Sequence, residues 1–114
     1  MMAMTTAQTT LRDRVLELIA DEGTVREVSM FGGRSVMLDE KMIVSALKDG
    51  SLLVRVDADR HEELLARPGA AQAEMGAGRD MGPGWIEVAA DAIADDEQLA
   101  EWIGIAMEHR RRTR

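Results

Sequence analysis

Asp57, Asp59 and His61 alternate along the chain and offer two carboxylates and an imidazole, a donor set for a divalent metal. At a strand-to-helix corner, however, alternate residues need not converge. Asp59 reads better as a helix N-cap and His61 as an exposed residue of the first turn. Gly76-Ala77-Gly78 begins like a dinucleotide fingerprint, but Met81 stands where the third glycine belongs and no helix follows. That stretch reads as a wide hairpin loop. Ser29, Ser35, Ser45 and Ser51 sit in or beside strand-like runs, with no G-x-S-x-G elbow. There is no cysteine, which excludes disulfide scaffolds, thiolate nucleophiles and zinc fingers. The acidic runs Asp21-Glu22, Glu62-Glu63 and Asp95-Asp96-Glu97 fall where a solvated face or a helix start would put them. No catalytic centre, cofactor site or metal site is expected.

Cationic chemistry is concentrated at the C-terminus. Arg110, Arg111, Arg112 and Arg114 are four of the fourteen basic residues, and without them the ten that remain face 21 acids, a charge of −11. The four arginines complement a helix C-terminus, as does His109 in the same last turn. They are also a candidate phosphate contact, restricted to weak, salt-sensitive binding of nucleic acid because the acidic body opposes it. Nine methionines against three aromatic residues are an adaptable filling for a core poor in rings.

These residues must be positioned by a small fold. The chain has 114 residues, of which 46% are hydrophobic and 31% charged, with a net charge of −7. That is the balance of one globular domain, not of a disordered chain, a nucleic-acid coat or a basic membrane binder. The longest apolar stretch near the C-terminus, residues 102–107, is far short of the roughly 20 residues a membrane span requires. A cytoplasmic protein is expected, with no membrane contact.

Leu11, Val15, Leu18 and Ile19 share one helical face, which predicts a helix over 11–22 behind a flexible leader of residues 1–9. The periodicity then changes. Val25 to Leu38 reads as two strands around Gly32-Gly33, and 42–48 as a third. Asp49-Gly50 is a hairpin signal leading into a fourth over 51–56. A short helix over 60–67 ends at Pro68-Gly69, a weak strand covers 72–75, and 85–88 is the last strand. Leu99, Trp102, Ile103, Ala106 and Met107 mark the apolar face of a last helix over 96–111. The order α-β-β-β-β-α-β-β-α predicts an α+β domain over 10–114. It has two layers, an antiparallel sheet with helices mainly on one face.

Met30-Phe31-Gly32-Gly33 resembles the turn between the first two strands of the TfoX/Sxy family's N-terminal domain. The strand-rich 42–56 stretch with its Asp-Gly turn, Val56-Asp57 before a short helix, Trp85-Ile86-Glu87-Val88, and Leu99-Ala100-Glu101-Trp102 before a basic end continue the likeness in order. Arg34 departs from it where family members often carry an aromatic residue, as does the glycine-rich segment over 70–84. The resemblance implies a compact α+β domain of regulators of natural competence that act with other transcription factors. A non-enzymatic regulatory or interaction module with a protein partner is therefore expected, as a monomer or as a homodimer through a sheet edge or helix face. The RNA methyltransferase label carried by some small family members finds no support, since the glycine fingerprint is broken. The alternative is a small-molecule binder or small enzyme with a pocket near Phe31, Arg34 and Trp85. The candidate interaction turn is Met30, Phe31, Gly32, Gly33 and Arg34. Positive φ is expected at Gly33, so that Gly33→Val would cost a few kcal/mol.

Overall fold

The computed structural model describes residues 4–30, 33–74 and 79–112. In chain order the elements are α1 (Thr6–Ile19), β1 (Val25–Met30), β2 (Gly33–Leu38), β3 (Lys41–Leu47) and β4 (Leu52–Arg55). They continue with a 3-10 turn (Ala58–Arg60), α2 (His61–Leu65), β5 (Ala70–Gln72), β6 (Trp85–Val88), a second 3-10 turn (Ala90–Ile93) and α3 (Asp96–Arg112). The α+β class and the order expected from periodicity are those observed.

The six strands form one antiparallel sheet in the order β1-β2-β3-β4-β6-β5. β6 returns between β4 and β5, so the short β5 lies on the edge. Val36, Val44, Val54 and Ile86 oppose one another across β2, β3, β4 and β6 and are wholly buried. Burying each side chain contributes about 1.5–3 kcal/mol. The same row ends in polar residues on the outer strands, Glu27 on β1 and Gln72 on β5. α1 packs on β2 and β3, α3 on β3 and β4, and the two helices on each other. Leu11, Val15 and Ile19 of α1 and Leu99, Trp102, Ile103, Ala106 and Met107 of α3 complete the core.

Two local features depart from the periodic reading. α1 begins at Thr6, not at Leu11, so the expected leader over 1–9 already holds the first turn. Thr5 and Gln8 close a capping box there, while Thr5 Oγ1 donates to the Lys48 carbonyl at 2.6 Å and Gln8 Nε2 to the Ala46 carbonyl at 2.9 Å. Those tertiary bonds anchor a turn that has little apolar periodicity of its own. The second feature is a bulge in β3. Val36 opposes Val44, but Met37 opposes Met42, so Ile43 is an extra residue. Both Ile43 and Val44 are buried in the core. Lys41 is thereby shifted by one position in the side-chain alternation, opposite Leu38. Among the described residues, no helix is long and apolar enough to cross a membrane.

Candidate functional site

At one end of the sheet the β2–β3 turn, the end of β4 and the last turn of α3 meet. The turn consists of Asp39 and Glu40, both at positive φ, 50° and 69°. Left-handed backbone at two adjacent non-glycine residues is strained, and the surrounding contacts hold it. Asp39 N–H donates to the Thr24 carbonyl at 2.8 Å, Asp39 Oδ1 accepts from Thr24 N–H at 2.9 Å, and Glu40 pairs with Arg26 at 2.8 Å. Arg110 Nη1 donates to Asp39 Oδ2 at 3.3 Å, which ties the turn to α3.

Beside that turn lies a solvent-open recess of about 280 Å³ lined by Lys41, Met42, Arg55, His109 and Arg110. Arg55 opposes Trp85 in the β4–β6 register and its guanidinium carbon lies 4.8 Å from the ring centroid, within cation–π range. Burial pushes the His109 imidazole pKa down, and the charge of Arg55 pushes it further; an upward pull from Asp57 opposes them, and Lys41 adds a smaller downward push. The sign follows from linkage. The unfolded chain takes up the His109 proton below the usual value near 6.5, whereas the folded chain resists until the pH is lower. Stability is therefore lost as the pH falls from about 6.5 through the folded value. His109→Gln is expected to reduce the difference in melting temperature between pH 7 and pH 5, a comparison two thermal scans provide.

On the far side of His109 lies a second set of charges, two arginines paired with three carboxylates. Arg112 pairs with Glu108 at 3.2 Å and with Asp57 at 3.5 Å, and Arg60 pairs with Glu63 at 3.3 Å. The Asp57 carboxyl is held below its usual range, first by the Asp59 N–H it accepts and then by Arg112. Asp57 thus caps the 3-10 turn, the role expected of Asp59.

His61 is not the exposed residue its helix-start position suggests but is buried at 6% exposure. Its Nδ1 accepts from the Gly84 N–H at 2.9 Å, so the ring proton lies on Nε2, which donates to Gln72 Oε1 at 2.8 Å. Both ring nitrogens thus face inward, linking α2 to the β5–β6 hairpin. Asp57, Asp59 and His61 are not brought onto a common centre, and the described residues contain no group of three or more metal-ligating side chains.

β5 covers Ala70–Gln72 and not the expected 72–75; it runs antiparallel to β6, with a further bridge between Glu74 and Asp80 and with Gly82 and Gly84 at positive φ. Residues 75–78, and with them the loop expected at Gly76-Ala77-Gly78, lie outside the described residues.

The candidate turn divides differently. Met30 opposes Gly33 in the β1–β2 register, and Phe31 and Gly32 lie outside the described residues. Gly33 begins β2 with φ outside the left-handed region, contrary to expectation, and is required for a steric reason instead. A Cβ there would lie 2.7 Å from the Ala46 carbonyl oxygen and 2.7 Å from Ser45 Oγ. Arg34 is tied into the sheet: Nε donates to Glu27 Oε1 at 3.1 Å and Nη1 to Ser29 Oγ at 3.0 Å. Glu27 Oε1 also accepts from Arg12 Nη1 at 3.2 Å, which joins α1 to the same network. β3 and β4 separate Arg34 on β2 from Trp85 on β6, so these two do not line one pocket.

Of the C-terminal arginines, Arg110 faces the recess and Asp39, Arg112 pairs with Asp57 and Glu108, and Arg111 is exposed. Arg114 lies outside the described residues. The recess went unread in the sequence because Lys41 and Arg55 stand in no motif. The one available signal was that three basic residues fall at predicted element ends.

A search of curated proteins finds no match. The family model for the TfoX N-terminal domain matches residues 17–110, from α1 to the last turn of α3. The match spans the whole sheet and both faces of the recess, in agreement with the motifs read in the sequence, and the chain belongs to the TfoX N-terminal domain family.

Proposed function

We propose that this chain is a non-enzymatic regulatory module that acts in transcriptional regulation by docking on a protein partner. Membership of the TfoX N-terminal domain family supports a regulatory module. The observation that carries the docking surface is the groove between α1 and α3, about 250 Å³, whose apolar wall is Leu18, Ile103 and Met107. Leu18, at 41% exposure, is the one large hydrophobic residue exposed among the described residues. Gly104 forms part of the floor, and a Cβ at that position would meet nothing within 4 Å. Glycine inside a helix costs about 0.5–1 kcal/mol relative to alanine. Nothing within the described chain requires that cost, whereas a partner side chain entering the groove does. Glu22 and Arg111 also line the groove and supply opposite charges for a polar rim.

Gly104→Ala is expected to raise the melting temperature by about 2–4 °C, the effect of about 0.5–1 kcal/mol in a domain of this size. Differential scanning calorimetry checks it. Gly104→Glu is expected to melt no lower than the wild type and to lose the partner. The decisive experiment compares the wild type and Gly104→Glu as immobilised baits in lysate of the source cells, followed by reconstitution with the purified partner. A stoichiometric transcription factor or polymerase component that binds the wild type but not Gly104→Glu is the expected result. Equal capture by both chains overturns the docking surface. A wild-type dimer that Gly104→Glu converts to a monomer makes a second copy the occupant and overturns the partner reading.

The C-terminal arginines are expected to give only weak, salt-sensitive contact with duplex DNA. Arg110 and Arg112 are already engaged with Asp39 and Asp57, and the chain carries −7. Fluorescence anisotropy of a labelled duplex, at low and at physiological salt, measures this.

A further inference from the structure

We infer that the occupant of the groove between α1 and α3 is a basic amphipathic helix of the partner, with a row of apolar side chains toward the groove and lysines or arginines toward its α1 rim. This rests on the docking reading and names the chemistry the partner carries. The charges at the two helix ends differ in kind. α3 closes on His109, Arg110, Arg111 and Arg112, a cationic last turn that complements the helix dipole. α1 has no basic residue in its last turn. Leu18 stands there next to Glu17, and Asp21 and Glu22 follow within four residues. All three acidic residues are exposed, and none is ion-paired among the described residues. The carbonyl end of α1 adds about half a negative charge to them. The neighbouring cations are Arg111 and Arg14, and Arg14 is engaged by Asp96 at 3.0 Å and by the Ile93 carbonyl at 2.8 Å. One arginine against three carboxylates and a helix end leaves the α1 side of the groove negative. Its complement is a cation on the occupant.

The shape of the groove suits a helix. Its lining runs along α3 from Ala100 to Arg111, about 16 Å at 1.5 Å per residue, or three turns. Ala100 and Gly104 lie one turn apart on the open side of α3, and both are exposed. Small residues at that spacing let a second backbone come close, while Leu18, Ile103 and Met107 supply the apolar contact. An apolar strip bordered by carboxylates is matched by a helix whose leucines recur every three or four residues and whose basic residues flank them. A second copy of this chain is a poorer match. It carries −7, and packed groove to groove it would bring its own Glu17, Asp21 and Glu22 to the same rim.

The test uses three synthetic helices of about 14 residues, four turns each, with the same leucine row and with lysine, glutamine or glutamate at the flanking positions. Fluorescence anisotropy at physiological salt reads their affinity for the full chain, and amide NMR shifts locate the contact. The lysine helix is expected to bind and to shift amides around Leu18, Gly104 and Met107, and the glutamate helix is not. Gly104→Glu is expected to abolish binding. Asp21→Asn combined with Glu22→Gln is expected to weaken the lysine helix about fivefold, the loss of two rim ion pairs, and to melt no lower than the wild type. Glu62→Gln combined with Asp91→Asn makes the same change in net charge at exposed positions outside the groove and is expected to leave the affinity unchanged. Equal weakening by the two double variants overturns the inference, as attraction to net charge alone. Equal binding of all three helices also overturns it; if Gly104→Glu abolishes that binding, the docking groove stands and only its basic occupant falls. Binding by none of them overturns the basic helix and leaves the docking surface to the comparison in lysate. A wild-type dimer that closes the groove to the lysine helix, seen by sedimentation, overturns it in favour of a second copy. Binding that survives Gly104→Glu lies elsewhere and overturns it too.

Discussion

Replacing Gly33 by valine is expected to lower the melting temperature by about 10 °C or more, the effect of about 3 kcal/mol in a domain of this size. The origin is crowding and not backbone handedness. Gly33 opens β2 opposite Leu47, between β1 and β3, with its φ outside the left-handed region. An added Cβ would approach the Ala46 carbonyl oxygen and Ser45 Oγ to 2.7 Å and Leu47 Cδ2 to 2.8 Å. The leucine end can move, but the carbonyl belongs to the β3 backbone and cannot shift without disturbing the ladder. The same carbonyl accepts from Gln8 Nε2, so displacing it also loosens the first turn of α1. Alanine, with a single Cβ, should show a smaller loss in the same direction. Equal melting temperatures for wild type and Gly33→Val would refute the steric account.

The second large effect is expected at His61. His61→Leu keeps much of the side-chain volume but removes both ring nitrogens. It leaves the buried Gly84 N–H without its acceptor and Gln72 Oε1 without its donor. An unsatisfied buried polar group costs about 1–3 kcal/mol, so a loss of about 2–4 kcal/mol is expected for the two together. The damage should be local in its first expression. Gln72 Nε2 also donates to the Ala73 and Gly82 carbonyls, so the β5–β6 hairpin loses its anchor to α2. Hydrogen exchange at the Gly84 amide is expected to accelerate in the variant before the β2–β3 amides change. Uniform acceleration across the sheet would show that His61 acts on global stability alone.

Much of the fold was legible because its signals are short-range. The last strand, residues 85–88, and the apolar face of α3 follow from periods of 2 and 3.6 that a few neighbouring residues display. The Asp49-Gly50 turn declared itself in the same way: Gly50 has φ of 88°, and the Ser51 N–H donates to Asp49 Oδ1. The Asp39-Glu40 turn did not, because no glycine follows the aspartate to mark it and Glu40 disfavours positive φ; contacts with Thr24, Arg26 and Arg110 hold it there. His61 was misread for a similar reason. Its place at a helix start predicts exposure, and its burial depends on Gln72 and Gly84 of a hairpin that folds back from later in the chain.

By itself the sequence determined the class, the order of elements, the apolar face of the last helix and the family motifs around Gly32-Gly33, Trp85 and Trp102. Each is written in the spacing of neighbouring residues, and chain sterics and burial leave those spacings few alternatives. Tertiary structure alone decided that β6 lies between β4 and β5, that Ile43 is an extra residue in its strand, and that Gly33 is required for space. It also decided that Lys41, Arg55 and Arg110 face one recess while Arg34 is tied to Glu27. A site of that kind has no local code. Its residues meet only because strand order, one bulge and the length of α3 bring three element ends to the same place, and each of those follows from packing the whole core at once.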